Sequence, residues 1–281
     1  MKSLDNKLII YDSNCKVCSS LKDVVLRLTS IPESKVKAYK DLNSDLNEKI
    51  DPNKFRNVMA LIDVAGGQTI YGSEGVAHVF SSQYRMLNTL LNIKTFFRIF
   101  DFLYKTQAFN RYIIATPKSS FMCDCFPDRV VKYRMSYIIM TVIFSVFLTS
   151  MFGLSLRHFF HDVSALDAAV HMLLMAGTGW VIQIVIAIIS LREKALDYIG
   201  HLGSIMVVGL LILVPWMLLS FNSQISTPYL PTASVCISSI FMLSMHIGRV
   251  RYLQLSQRWT LSWFILLQST ASFWVYYFYI R

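Results

Sequence analysis

The chain has 281 residues, a formal net charge of +10, 54% hydrophobic residues and a mean hydropathy of +0.46. It is too apolar for an ordinary soluble protein and long enough for two domains. The positive charge would suit nucleic acid, but no basic recognition helix or aromatic RNA-binding signature is present, so no nucleic-acid partner is expected. Basic residues flanking membrane spans account for the excess.

Charges, turns and short strands continue to about Arg134, after which long apolar runs begin. Residues 7–11 read as a first strand. Residues 18–28 read as a helix, because Leu21, Val24, Val25 and Leu28 recur at helical spacing. Ile31-Pro32 ends that helix, and residues 36–39 suit a second strand. The polar stretch 43–56 suits a helix plus loops. Residues 58–63 are the clearest buried strand, 65–67 a Gly-Gly hairpin turn, and 68–71 the returning partner. A further helix begins over 74–80. An aromatic helix over 96–112 serves as core or domain interface, although Arg98, Lys105 and Arg111 among its rings also suit a helix lying on the inner membrane surface. His78 reads as an ordinary helix residue.

The most informative segment is Tyr11-Asp12-Ser13-Asn14-Cys15-Lys16-Val17-Cys18, where the first strand feeds its helix. Two thiols at this spacing can close one disulfide or clamp one metal. The order β-α-β-(α)-β-β-α matches a thioredoxin-like arrangement. A helix N-terminus carries positive partial charge and free N–H groups, which favour thiolate over thiol. Cys15 is then expected to be the more exposed thiol and the nucleophile, with Cys18 resolving the mixed disulfide. Lys16 adds positive field, whereas Asp12 raises the Cys15 pKa or takes up and returns protons.

Tyr11-Asp12-x-x-Cys15-x-x-Cys18 resembles the signature of the DCC family of thiol-disulfide oxidoreductases, named for its Asp-Cys-Cys. The strand Leu61-Ile62-Asp63, the Gly-Gly turn, Tyr71-Gly72-Ser73-Glu74-Gly75-Val76, and the helix ending Asn110-Arg111-Tyr112 are similar to further landmarks of that family. The resemblance covers roughly residues 7–127 and implies dithiol exchange by Cys15 and Cys18. Ser13 stands where the family commonly has Gly, and no proline directly precedes Val58. Cys123 and Cys125 allow two further readings. They relay disulfide exchange with Cys15/Cys18, or complete a four-thiolate zinc site with them.

Five apolar runs follow, over about 136–156, 168–191, 199–221, 230–247 and 261–280, each near bilayer-spanning length. Basic residues precede the first run (Arg129, Lys132, Arg134) and lie between the second and third (Arg192, Lys194) and the fourth and fifth (Arg249, Arg251, Arg258). The positive-inside rule then puts the N-terminal domain in the cytoplasm and the C-terminus outside. The start lacks the apolar stretch of a cleavable signal peptide, which agrees. Cys236 is the one cysteine within a run and reads as a small buried apolar residue, so a thiol relay through the spans is not expected. His201 and His246 fall near cytoplasmic ends, with His158, His161 and His171 toward the outer face. Such imidazoles suit haem or metal, and Asp162 and Asp167 with His161 and His171 suit a cation. Pro215 is expected to kink the third run. Trp180, Trp216, Trp259, Trp263 and Trp274 read mostly as interfacial anchors and packing.

The expected architecture is therefore an α/β thioredoxin-like domain (1–118), a Cys-containing linker (119–133) and an all-α membrane domain of about five transmembrane helices (134–281). The expected function is a multi-pass inner-membrane thiol-disulfide oxidoreductase acting on a protein or small-molecule disulfide. It needs no cofactor beyond its own disulfide. The alternative is a membrane scaffold or transporter-like protein whose cysteines hold a structural metal.

Overall fold

The computed structural model describes residues 4, 6–117, 126–159, 163–222 and 229–281. The chain divides into two compact units, Met1–Tyr137 and Ile138–Arg281.

The first unit contains, in order, β1 (Lys7–Tyr11), α1 (Lys16–Leu28), β2 (Val36–Ala38), α2 (Ser44–Asn47), α3 (Pro52–Phe55), β3 (Ala60–Asp63), β4 (Ile70–Tyr71), α4 (Gly72–Gln83), α5 (Arg85–Asn92), α6 (Lys94–Phe109) and α7 (Arg111–Ile114). The four strands form one mixed sheet in the order β2-β1-β3-β4. β1 runs parallel to β2 and antiparallel to β3, and β3 pairs antiparallel with β4.

β1 is central and buried on both faces, so its apolar residues are consecutive rather than alternating. Ile9 joins Val25, Val36, Leu61 and Val79 in a cluster on one face. Ile10, fully buried, joins Ile50, Phe55, Ala60 and Ile62 on the other. The neighbouring residues face opposite sides because side chains alternate along a strand. This two-sided burial fixes the register of β1 and hence where its C-terminal end delivers the cysteine turn.

Glycine is required at two turns. Gly66 has φ +98° in the β3–β4 hairpin, and Gly72 has φ +66° where β4 passes into α4. β3 begins at Ala60 rather than Val58, and α4 is longer than anticipated at both ends. The helix expected over 96–112 is two helices, broken at Asn110. The Asn110 side-chain amide donates to the carbonyls of Thr106 (2.6 Å) and Tyr133 (2.9 Å), and its oxygen accepts from Arg134 (2.6 Å). These bonds fix the break and join the aromatic helix to the segment entering the membrane half.

The second unit is helical in its described residues: α8 (Val131–Leu156, beginning in the first unit), α9 (Ala165–Leu191), α10 (Ala195–Asn222), α11 (Tyr229–Tyr252) and α12 (Arg258–Val275), the last continuing as a π-turn over Tyr276–Ile280. Among the described residues, three helical stretches are long and apolar enough to cross a membrane: Val131–Phe159, Ala165–Ser220 and Tyr229–Tyr252. The second joins α9 and α10 through a 3-10 turn at Arg192–Lys194, where Arg192 has φ +47°. The 258–280 stretch falls outside this set. α9 packs chiefly along α12, and α10 along α11. Trp180, Trp216 and Trp263 are buried in the bundle and are packing residues rather than interfacial anchors.

Candidate dithiol site

Cys15 is the N-cap of α1. Its backbone is extended, and its Sγ accepts a hydrogen bond from the backbone N–H of Cys18 at 3.2 Å. This is the role a Ser or Asp oxygen plays in most caps. The helix starts two residues earlier than its apolar spacing suggests, which places Cys18 one turn inside, facing Cys15.

The neighbouring Cys18 thiol, the Cys18 backbone N–H and the Arg111 charge hold the Cys15 pKa below the ordinary 9.0, against burial and the Asp12 charge. Cys18 moves the opposite way, well above 9.0, chiefly because its proton is held by the Cys15 sulfur, with partial removal from water adding to the rise. The pair therefore titrates in two separated steps.

Asp12 is 5% exposed and sits at the end of β1. Its Oδ1 accepts from the Asn14 N–H at 2.9 Å and closes the turn leading to Cys15. Its Oδ2 accepts from the Tyr112 hydroxyl at 3.0 Å and lies 3.7 Å from the Arg111 guanidinium. Arg111 is anchored in turn by the carbonyls of Arg56 (2.8 Å) and Asn57 (3.3 Å). A cavity of about 20 Å³, room for a single water, lies beside Cys18 and is lined also by Tyr11, Tyr104 and Arg111. Burial pushes the Tyr104 and Tyr112 hydroxyl pKa values up, so both stay protonated at neutral pH, Tyr112 donating to Asp12 and Tyr104 accepting from the Met59 N–H.

Residues 9–116 match the family model for DCC1-like thiol-disulfide oxidoreductase. No curated protein and no solved structure matches the chain. The match begins within β1, takes in the rest of the sheet and ends just after the Arg111–Tyr112 pair, so it includes every group around the thiols.

Asp12, Cys15 and Cys18 are thus brought together as their spacing implied, but two expectations are corrected. Cys15 is fully buried and Cys18 is the partly exposed thiol, because capping turns the Cys15 sulfur inward over the first turn of α1. The positive field comes from Arg111, on α7, while the Lys16 side chain is exposed. Arg111 and Tyr112 were legible only as a landmark of the family. Nothing local in the sequence assigns them to a carboxylate about a hundred positions away.

Cys123, Cys125, His161 and Asp162 lie outside the described residues. Cys236 is exposed on α11 rather than buried. Among the described residues, no group of three or more His, Cys, Asp or Glu side chains is placed to hold a metal. His246 offers neither nitrogen to one. Its Nε2 contacts the Tyr198 hydroxyl at 3.0 Å, and its Nδ1 the Thr260 hydroxyl at 3.1 Å. His201 Nδ1 accepts from Arg249 at 2.8 Å. His171 contacts the Tyr279 hydroxyl at 3.2 Å and stacks on Phe278. His78 lies within α4.

Proposed function

We propose that this protein is a membrane-anchored, cytoplasm-facing thiol-disulfide oxidoreductase in which Cys15 is the nucleophile and Cys18 the resolving thiol. The observation that carries this reading is the Cys15 sulfur capping α1, where it accepts the Cys18 backbone N–H at 3.2 Å. The Cys15 thiolate attacks one sulfur of a substrate disulfide, forms a mixed disulfide and expels the other sulfur as thiolate. Cys18 then loses its proton and attacks Cys15. This closes the Cys15–Cys18 disulfide and releases the substrate as a dithiol, reduced by two electrons. Asp12, held by Tyr112 and Arg111, tunes the proton that must leave Cys18. The sheet order β2-β1-β3-β4 with the cysteines after β1 supports a thioredoxin-like domain.

Cys15 is enclosed, so exchange requires its turn to open toward the substrate. The domain boundaries near residues 118 and 134 fit this reading, since the family match ends at residue 116 and α8 begins at Val131.

Five crossings would be four from the three long apolar stretches, the second counted twice, with α12 as the fifth. A 56-residue helical stretch is roughly 84 Å long, nearly three times the hydrocarbon core, and its turn at Arg192–Lys194 lets it cross twice. Basic residues before α8 and in the α9–α10 and α11–α12 connections support a cytoplasmic dithiol unit and an external C-terminus.

The test is exchange with a model disulfide. Cys15→Ser is expected to abolish turnover. Cys18→Ser is expected to accumulate mixed disulfides, visible on non-reducing gels and reversed by reductant. Undiminished exchange in both variants overturns the assignment.

A further inference from the structure

The helix α6 leaves an apolar stripe uncovered. Phe96, Ile99 and Leu103 recur at i, i+3 and i+7, so they share one face. They are 39%, 55% and 45% exposed. Ile93, just before the helix, is exposed as well. Singly exposed apolar residues are ordinary, but a stripe of them on one helix face, flanked by basic residues, is the pattern of a helix lying in a membrane interface.

Cations flank this stripe. Lys94 and Arg98 on α6 and Lys132 at the start of α8 are exposed, and none is paired with a carboxylate among the described residues. Asp101, the acidic residue of α6, is taken up by the Ser73 hydroxyl at 2.5 Å and the Lys105 ammonium at 2.8 Å. Of the basic residues among the rings, Arg98 is thus the one left to face outward, since Lys105 is bound to Asp101 and Arg111 is turned onto Asp12.

Position decides what the stripe meets. Phe109 stacks on Tyr133 with ring centroids 4.9 Å apart, and Phe102 lies 6.2 Å from the same ring. The Lys132 ammonium lies 5.9 Å from the Phe102 ring centre. Tyr133 stands three residues before the apolar run that opens at Ser136 in α8, about 5 Å along the helix axis. α6 is thereby held where α8 enters the hydrocarbon, at the depth of the lipid headgroups, where tyrosine is a common anchor.

We infer that α6 lies on the bilayer that α8 enters, with Phe96, Ile99 and Leu103 against the acyl chains below the headgroups and Lys94, Arg98 and Lys132 on anionic headgroups. The dithiol unit then holds to the membrane at two places, α8 and α6. This contact depends on α8 entering the bilayer and not on the chemistry of Cys15 and Cys18.

The test uses the full chain reconstituted in vesicles of nine parts phosphatidylcholine to one part phosphatidylglycerol. The photocrosslinking residue p-benzoylphenylalanine replaces one side chain at a time. The positions are Ile99 or Leu103 on the stripe, exposed Ile143 in the apolar run of α8, and Leu28 on α1, which at 52% exposed is as accessible as Ile99. After illumination, mass spectrometry of the peptides reads what each position has captured. Ile99 and Leu103 are expected to yield lipid adducts as Ile143 does, and Leu28 none. Phosphatidylglycerol should be enriched in the α6 adducts by ~5-fold over its share of the vesicle, the effect of one basic group near an anionic surface. Lys94→Gln/Arg98→Gln/Lys132→Gln should bring it back to that share. Lipid at Ile143 but at neither stripe position overturns the inference and leaves the α8 crossing intact, whereas lipid at none of them overturns both. Lipid at Leu28 as readily as at Ile99, or capture of a second protein chain in place of lipid, also overturns the inference. So does an enrichment that is absent or that survives the triple variant.

Discussion

Cys15 and Cys18 occupy one turn of α1, yet their proton affinities move apart, and the cause is geometric. The Cys15 sulfur accepts the Cys18 backbone N–H, and the Cys18 thiol and the Arg111 charge further favour its thiolate, whereas the Cys18 proton is held by the neighbouring Cys15 sulfur. Two consequences are measurable. First, the pH profile for alkylation of Cys15 should have its midpoint below 9.0, and Arg111→Met should move it upward. An unmoved midpoint would show that Arg111 only braces the fold. Second, stability of the reduced protein should depend on pH in a hump. Between the lowered Cys15 pKa and the ordinary thiol value, the unfolded chain holds the extra proton, so stability rises with pH. Above the ordinary value, folded Cys18 holds the extra proton, so stability falls. Chemical denaturation across pH, compared with a Cys15→Ser/Cys18→Ser protein lacking the hump, checks the sign. The Asp12–Arg111 pair is buried on both sides, so Arg111→Met should also destabilise by roughly 3–5 kcal/mol, because it strands a buried carboxylate.

At the scale of the element, the first strand and helix were legible because their signals are local. Ile9 and Ile10 mark a strand buried on both faces, and Leu21, Val24, Val25 and Leu28 mark the helix that follows. The start of α1 was harder to read, since cysteine is an uncommon cap and the apolar spacing begins only inside the helix. Cys15→Ser should keep the cap, because serine is a preferred residue there, while Cys15→Ala should cost about 0.5–2 kcal/mol in denaturant melts. The comparison separates the loss of a nucleophile from the loss of a helix start. The break at Asn110 was illegible for the opposite reason. Residues 96–112 carry an almost uninterrupted helical pattern, and the interruption is set by bonds to Tyr133 and Arg134, more than twenty positions later. Ile10, fully buried in the central strand, should cost about 2–5 kcal/mol when cut to alanine, read from the shift in denaturation midpoint.

For the whole molecule, the division into a sheet-bearing unit and a helical unit follows from where charge thins out and apolar runs lengthen. Membrane crossings are testable at the Arg192–Lys194 turn. If the 165–220 stretch crosses twice, a Glu193→Cys probe should react with an impermeant maleimide from the face that carries the dithiol unit. No reaction from either face would place that turn inside the bilayer and overturn the double crossing. The sequence by itself determined the strand and helix order of the first unit, the Asp-Cys-Cys motif at a strand-to-helix junction, and the membrane character of the second. Each of these is written in neighbouring residues or in short periodicities. Only the tertiary structure decided that Cys15 is enclosed, that Arg111 and Tyr112 close on Asp12, and that Phe102 and Phe109 pack on Tyr133 at the start of α8. These are contacts between residues tens to a hundred positions apart. Packing brings them together, and no local pattern in the chain records that meeting.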